Sequence, residues 1–416
     1  MKILVLGSGA REHALAVKFA ASKRVDEVIV SPGNGGIAQE FVCVELINFE
    51  AIADFVRSNG IAMVFVGPED PLSKGIVDYL QAQEIIAIGP SKLAAQIESS
   101  KAFAKDLMKK YQVPTAGYEV FSDYSSAKKY IKEGKYPLVF KADGLAAGKG
   151  VVIVNSLAEA EEELIEFMLD NKFGAAGAKL VIEEFLVGWE TSIFAFSDGE
   201  NFVSTIFSMD HKQLEAGDKG PNTGGMGAIA PIIQAEKYKT QIENEIFTPV
   251  LKGMKEAGFP FTGVLYCGLM ITAEGPKVIE FNCRFGDPET QVILPLLKTD
   301  LVEICEAIHE KKVDELELKW KEEFAINIVC AAAGYPGKYE KGKVIEVGDI
   351  SEDSKVYYAG VKKTQGKLLT NGGRVLGITS LSYDREDLIR KSYSLVDKIF
   401  FEGKVIRRDI GLRPQQ

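Results

Sequence analysis

Four short apolar runs near the start of the chain, each ending in a glycine-bearing turn and separated by helix-like stretches, constrain the fold more than any other feature. Residues 2–6 run into Gly7-Ser8-Gly9 and a helical stretch over 11–21. Residues 27–30 end at Ser31-Pro32-Gly33, residues 62–66 at Gly67-Pro68-Glu69-Asp70, and residues 85–88 at Gly89-Pro90. Strands that are apolar throughout and alternate with helices bury both faces. They therefore predict a doubly wound parallel sheet whose ligands sit at the carboxyl edge, where these turns lie. A nicotinamide-binding domain is the first rival. It fits poorly, because the third glycine of its fingerprint falls at Glu12 and the second strand ends at Ser31, not at an acidic residue. The first turn can still hold a phosphate or sugar at a helix N-terminus.

At 416 residues the chain is too long for one ordinary core and suggests two to four domains. No apolar run approaches the roughly 20 residues of a membrane span. Residues 1–6 are too short for the hydrophobic region of a signal peptide, so a cytoplasmic location is expected. The five cysteines are scattered without C-x-x-C spacing, which fits reduced thiols and argues against structural zinc. A net charge of -10 argues against nucleic-acid binding and leaves small anionic ligands held by local donors.

A second unit begins near Ser91 with a predicted helix over 92–111 that contains Ser99-Ser100-Lys101. Lys101 can reach a phosphate, although a lone helical lysine is more often solvated. Residues 136–141 form a buried-type strand ending in Lys141, followed by a small-residue loop with Gly148, Lys149 and Gly150 and a second strand. Backbone N–H groups of such a flap can fold over phosphates, but the Walker A spacing is absent. A helix over 158–170 and a strand over 179–183 complete a small lid. Glu183, Glu184 and Leu186 then lead to Glu190. An apolar wall and backbone groups there suit a purine, with Glu190 on a ribose hydroxyl; a plain interdomain hinge explains the same residues equally well.

Farther on, Asn222, Thr223, Gly224, Gly225 and Met226 make a glycine-rich loop, and residues 277–282 read as a strand carrying Glu280 and Asn282. Period-2 geometry puts those two oxygen-bearing side chains on one face and Cys283 opposite. Two hard ligands suit Mg²⁺, whose other positions are commonly filled by water and substrate phosphate. Arg284 continues the face with an always charged fork. The competing account is an ordinary solvated strand end.

The Lys141 strand, the Gly148-Lys149-Gly150 flap, residues 183–186 and the E-x-N-x-R pattern of Glu280, Asn282 and Arg284 resemble the ATP-grasp superfamily. Over its whole length the chain is similar, more narrowly, to the phosphoribosylamine-glycine ligase (glycinamide ribonucleotide synthetase) family. Residues 7–15, 66–69, 100–105, 220–227, 284–291, 371–377 and 407–411 carry that likeness. Ala10, Trp189, Gln213 and Ala216 depart from the family pattern. The resemblance implies α/β and α+β domains: a Rossmann-like substrate domain over 1–98, and an ATP-grasp core over 99–323 with a small flexible lid inserted at about 122–187. An α+β cap over 324–416 completes it. It implies ATP-dependent ligation of glycine to 5-phosphoribosylamine through glycyl phosphate, in purine biosynthesis. Lys101, Lys141, Gly148, Lys149, Gly150, Glu183, Glu184, Leu186 and Glu190 would bind ATP, with Lys141 and Arg284 catalytic. Gly9, Arg11, Glu12, His13, Glu69, Asp218, Asn222, Thr223, Gly224, Gly225, Met226 and Asp287 would bind the other substrates. Glu280 and Asn282 would hold Mg²⁺ or Mn²⁺. The expected partners are small molecules, with no nucleic acid or membrane, for a monomer or weak homodimer. Alternatives are another ATP-grasp ligase, such as a carboxylase or formate-dependent transformylase, and a nucleotide-binding module without catalysis.

Overall fold

Ile3, Leu4, Val5 and Leu6 are all buried in the strand Lys2–Gly7, the centre of a five-stranded sheet. Glu27–Pro32 and Ile61–Val66 flank it, Val42–Cys43 and Ala87–Ile88 form the edges, and every pairing is parallel. The computed structural model describes residues 1–145, 150–170, 174 and 179–412. Gly9 caps the helix Ala10–Ala20, and Glu12 reaches back to accept from the Gly9 N–H at 2.7 Å, the reciprocal half of a capping box. The Glu12 side chain lies so close to the strand ends that a Cβ on Gly7 or Gly67 would stand 2.3 Å from it. A buried carboxylate therefore fills the turn that a dinucleotide pyrophosphate would need.

The predicted helix over 92–111 is broken in the structure. A short helix Gln96–Ser99 ends at Ser100, which is extended, and Ser100 Oγ accepts from Phe103 N to cap a new helix, Lys101–Lys110. Serine competes well for backbone donors, which favours a cap over a helix interior. Lys101 consequently opens a helix and points toward Gly144, whose carbonyl it meets at 3.0 Å.

The lid is an antiparallel sheet in the order Tyr118–Phe121, Leu180–Glu184, Leu138–Ala142, Val151–Val154. Its helices Tyr124–Glu133 and Leu157–Met168 bury Ile131, Leu164 and Phe167 against Leu138, Phe140 and Val154. The flap residues Gly148 and Lys149 lie outside the described residues.

Beside the lid stands a second antiparallel sheet: Phe202–Ser204, Trp189–Asp198, Thr262–Thr272, Gly275–Asn282. Its last pairing contains a bulge, since Gly268 faces Glu280 whereas Leu269 faces Val278. Ile279 is the extra residue, and the alternation restarts after it, with Phe281 buried on one face and Glu280 and Asn282 half-buried on the other.

The C-terminal sheet is built around Phe324–Ala332, flanked by Gly227–Ala230 and Arg374–Ser382, with Met209–Asp210 and Ser354–Tyr358 beyond them. Residues 209–210 and 227–230 thus join a sheet otherwise made from residues a hundred positions later. Val361–Thr364 and Lys367–Thr370 form a hairpin turning at Gln365 and Gly366, both with positive φ as a type I′ turn requires. Arg385–Val396 packs Leu388, Leu395 and Val396 into this sheet's core. Multidomain α/β architecture with a parallel N-terminal sheet is thus present as expected. Among the described residues no helix is long and apolar enough to cross a membrane.

Candidate active site

The carboxyl edge of the N-terminal sheet, the inner face of the lid and the strand Gly275–Asn282 enclose a cavity of about 440 Å³. Along one side it is apolar, with Val139, Val151, Leu186, Met270 and Ile279. Elsewhere nine carboxylates and seven cations line it. A triphosphate entering a wall with surplus carboxylate needs further positive charge, which favours an accompanying divalent cation.

Glu183, on the lid strand Leu180–Glu184, is almost wholly buried between two lysines. Lys141 Nζ stands 2.9 Å from Oε1 and Lys105 Nζ 3.2 Å from Oε2. Lys141 also donates to the Ile279 carbonyl at 3.0 Å, tying the lid strand to the strand Gly275–Asn282. Burial lowers Lys105 to about 8, against the opposing pull of Glu183. Burial also lowers Lys101.

Lys212 stands in the middle of the cavity, 3.3 Å from Glu190 and 3.5 Å from Glu280. Although burial opposes its charge, those two carboxylates hold it above the usual lysine value. Burial likewise opposes the charge on Glu280, yet Lys212, Lys141 and Lys101 keep it below the ordinary carboxylate range, and a third of its side chain remains open to the cavity. Asn282 donates its amide N–H groups to Glu98 Oε1 and the Phe281 carbonyl, both 3.1 Å away, when oriented to satisfy its neighbours. That orientation turns its oxygen away from Glu98. A charged carboxylate and an amide oxygen on one strand face fit an octahedral hard cation whose remaining ligands are water and phosphate. No group of three His, Cys, Asp or Glu side chains suited to a metal exists among the described residues.

Arg284 is fixed by two carboxylates from the N-terminal part, Glu98 at 2.7 Å and Glu69 at 3.2 Å. Burial would raise Glu69, but Arg284 and Arg11 draw it down to about 2. Arg11 is held by Glu12 at 2.6 Å and donates to the Phe285 carbonyl at 3.1 Å. Across the cavity Arg374 donates to the carbonyls of Gly224 and Asp287 and pairs with the Asp287 carboxylate at 3.3 Å. Burial and the Glu289 charge push Asp210 up, and burial raises Glu289.

The cavity brings together Lys101, Lys141, Gly150, Glu183, Glu184, Leu186 and Glu190 with Arg11, Glu69, Asn222, Thr223, Gly224, Glu280, Asn282, Arg284 and Asp287. Others stand elsewhere. Gly9 and Glu12 form the helix cap behind the wall, and Gly225 and Met226 are buried beneath the loop. Asp218 is on an exposed turn paired with Arg407 at 2.9 Å. His13 is fully buried, where its Nδ1 accepts from Tyr358 N at 3.0 Å and its Nε2 faces Glu40 at 3.3 Å; it joins the first and last parts of the chain and does not line the cavity. Sequence reasoning did not single out Glu98, Lys105, Asp210, Lys212, Tyr266, Glu289 or Arg374, all on the wall. Lys105 had a readable signal: it follows Lys101 by four residues, on the same helical face.

Family models for phosphoribosylglycinamide synthetase match most of the chain: the N domain at residues 1–98, the ATP-grasp (A) domain at 99–290 and the C domain at 325–413. Among similar proteins, the phosphoribosylamine–glycine ligase of Caldanaerobacter subterraneus subsp. tengcongensis is 47% identical over 414 residues, covering 99% of each chain. That of Halalkalibacterium halodurans is 46% identical over 415 residues, covering 99% of this chain and 96% of the relative. The crystal structure of phosphoribosylamine–glycine ligase from Thermotoga maritima superposes with a TM-score of 0.85 at 36% identity, covering 99% of this chain and all of that one. A biotin carboxylase from Campylobacter jejuni shares the fold, with a TM-score of 0.75 at 17% identity over 99% of this chain and 94% of its own.

Proposed function

The chain belongs to the phosphoribosylglycinamide synthetase family, and from that membership we infer how its cavity works. The protein is an ATP-dependent ligase that joins glycine to 5-phosphoribosylamine in de novo purine biosynthesis, giving glycinamide ribonucleotide, ADP and phosphate. Its ATP-grasp domain uses ATP, and the cation that would accompany it is Mg²⁺ or Mn²⁺. The γ-phosphoryl group of ATP passes to a glycine carboxylate oxygen as its bond to the β-phosphate oxygen breaks, leaving ADP. The amine nitrogen then attacks the carbonyl carbon, the C–O bond to phosphate breaks, and the amine loses a proton.

The observation that carries this reading is the single cavity in which Lys141, Lys212, Glu280, Asn282 and Arg284 converge around a space with an apolar side. Such a reaction needs charge neutralisation and positioning, not a protein nucleophile. The adenine would lie along Val139, Leu186, Met270 and Ile279, with Glu190 toward the ribose. Lys101 and Lys141 would neutralise phosphate oxygens, and Glu183, clamped by Lys105 and Lys141, would fix the direction of Lys141. Glu280 and Asn282 would hold the metal, which supplies Lewis-acid charge at the transferring phosphoryl group. Arg284, pinned by Glu98 and Glu69, would face the developing negative charge from a fixed position. Arg11 and Glu69 would meet the phosphorylated sugar amine at the N-terminal sheet's edge. Asn222, Thr223, Gly224 and Asp287 would meet glycine.

The proposed working unit is a monomer or weak homodimer. Its five free thiols support a cytoplasmic setting. The test is to supply ATP, Mg²⁺, glycine and phosphoribosylamine and to measure ADP together with the amide product. One ADP per glycinamide ribonucleotide, with neither formed when glycine or the amine is omitted, is the expected result; equal ADP release with bicarbonate or formate in place of glycine would favour the carboxylase or transformylase reading.

A further inference from the structure

Arg407 heads the large, wholly buried side chains among the described residues, and it stands outside the cavity. Its guanidinium divides its donors between the chain around residues 213–218 and Asp409 of its own segment. Nη1 donates to the Gln213 carbonyl at 3.0 Å, Nη2 meets Asp218 at 2.9 Å, and Nε meets Asp409 at 2.6 Å. Asp409 in turn accepts from Gly217 N at 2.8 Å. The Gln213, Asp218 and Gly217 contacts reach the hairpin of Gln213–Glu215 and Lys219–Asn222, whose outer residues 215–221 are exposed.

These bonds fasten the hairpin to the C-terminal segment. Its turn places Gly217, Asp218 and Gly220 at positive φ, and a Cβ on Gly217 would meet nothing within 4 Å. An aspartate in the left-handed region needs a surrounding that fixes it there, and Arg407 provides the partner. The two ends of the hairpin enter the cavity. Lys212 precedes Gln213, and its carbonyl accepts from both Thr223 N at 2.8 Å and Thr223 Oγ1 at 2.7 Å, so Lys212 and the Asn222–Gly224 wall are fastened to one another. A planar fork that bonds a backbone carbonyl and two carboxylates together sets the position of all three, which a lysine point charge cannot do.

We propose that Arg407 is a positioning residue for the ligation: it latches the C-terminal segment onto this hairpin and thereby sets where Lys212 and Asn222 stand in the cavity. The latch assigns Asp218 to structure support and not to substrate. Its kinetic readout rests on the ligase reading above; its structural readout does not.

The test uses the full chain with Arg407→Met and, should that variant fold poorly, Arg407→Lys, which keeps the charge and loses the fork. Turnover with all substrates saturating should fall on the order of tenfold in Arg407→Met. In a Lys212→Met background the same change should cost less than its full factor, whereas in a Lys101→Met background it should keep that factor, because Lys212 and Asn222, and not Lys101, lie downstream of the latch. Hydrogen exchange of the substrate-free protein should quicken at the amides of residues 213–223 and stay unchanged in the helix Lys101–Lys110. An equal loss in both backgrounds, or unaltered exchange at 213–223, would overturn the latch. A wild-type protein that makes no product but shows the expected exchange pattern would overturn the ligase reading and support the latch.

Discussion

The ammonium of Lys212 stands 3.5 Å from Oε1 of Glu280, on the face where the metal and the transferring phosphate would meet. Burial alone would raise the Glu280 carboxyl, and Lys212 is the nearest charge that opposes it. Lys212→Met should therefore raise the Glu280 pKa and move the acidic limb of the kcat/KM profile upward, with activity recovering as pH increases. A profile of unchanged shape, merely scaled down, would mean that Lys212 acts on substrate alone.

Lys105 carries a pH signature of its own. Its value of about 8 lies below the ordinary 10.5, so between those limits the unfolded chain binds more protons than the folded one. Stability contributed by this group accordingly rises with pH from about 8 to 10.5, while the positive charge beside Glu183 is lost over the same window. The apparent KM for ATP should climb above about pH 8 in the wild type, and Lys105→Arg, which stays charged, should flatten that rise. Melting curves over the same pH range check the stability half of the statement.

Both the Lys212 and the Lys105 effects arise where local pattern was least informative. The N-terminal sheet was legible because four apolar strands each end in a glycine turn, and the Glu280–Asn282 face because alternation along one strand is a local property that the bulge at Ile279 leaves intact beyond it. The break at Ser100 was hidden by continuous helix-compatible residues on both sides, although the serine that caps the second helix was in plain view. Arg284 and Glu98 are 186 residues apart, and His13 and Tyr358 are 345 apart. Neither periodicity nor propensity encodes such meetings; they follow only from how the sheets pack. The entry of Gly227–Ala230 into the C-terminal sheet is of the same kind, since a four-residue apolar strand carries no mark of its partner.

Arg11 offers a test of substrate placement. Its fork is engaged with Glu12 and the Phe285 carbonyl at the edge of the N-terminal sheet, away from the lid. Arg11→Lys keeps the charge and loses the planar fork. The KM for phosphoribosylamine should rise on the order of tenfold and that for ATP change by less than about twofold, as expected when one substrate's binding contact is lost. A matching rise for ATP would put the nucleotide, not the sugar amine, at this edge.

The most direct measurement is the rate of Glu280→Gln and of Arg284→Ala against Mg²⁺ concentration, with melting curves alongside. Glu280→Gln removes a charge at nearly constant shape, so folding should survive while turnover falls on the order of 10²-fold, and added Mg²⁺ should restore part of it. Arg284→Ala should show a comparable loss that Mg²⁺ does not restore, together with lower stability, because it leaves Glu98 and Glu69 without their shared partner. The opposite outcome for Glu280→Gln, a lower melting temperature with near-normal turnover and no response to Mg²⁺, would contradict the placement of the metal on this strand and with it the proposed site of ligation.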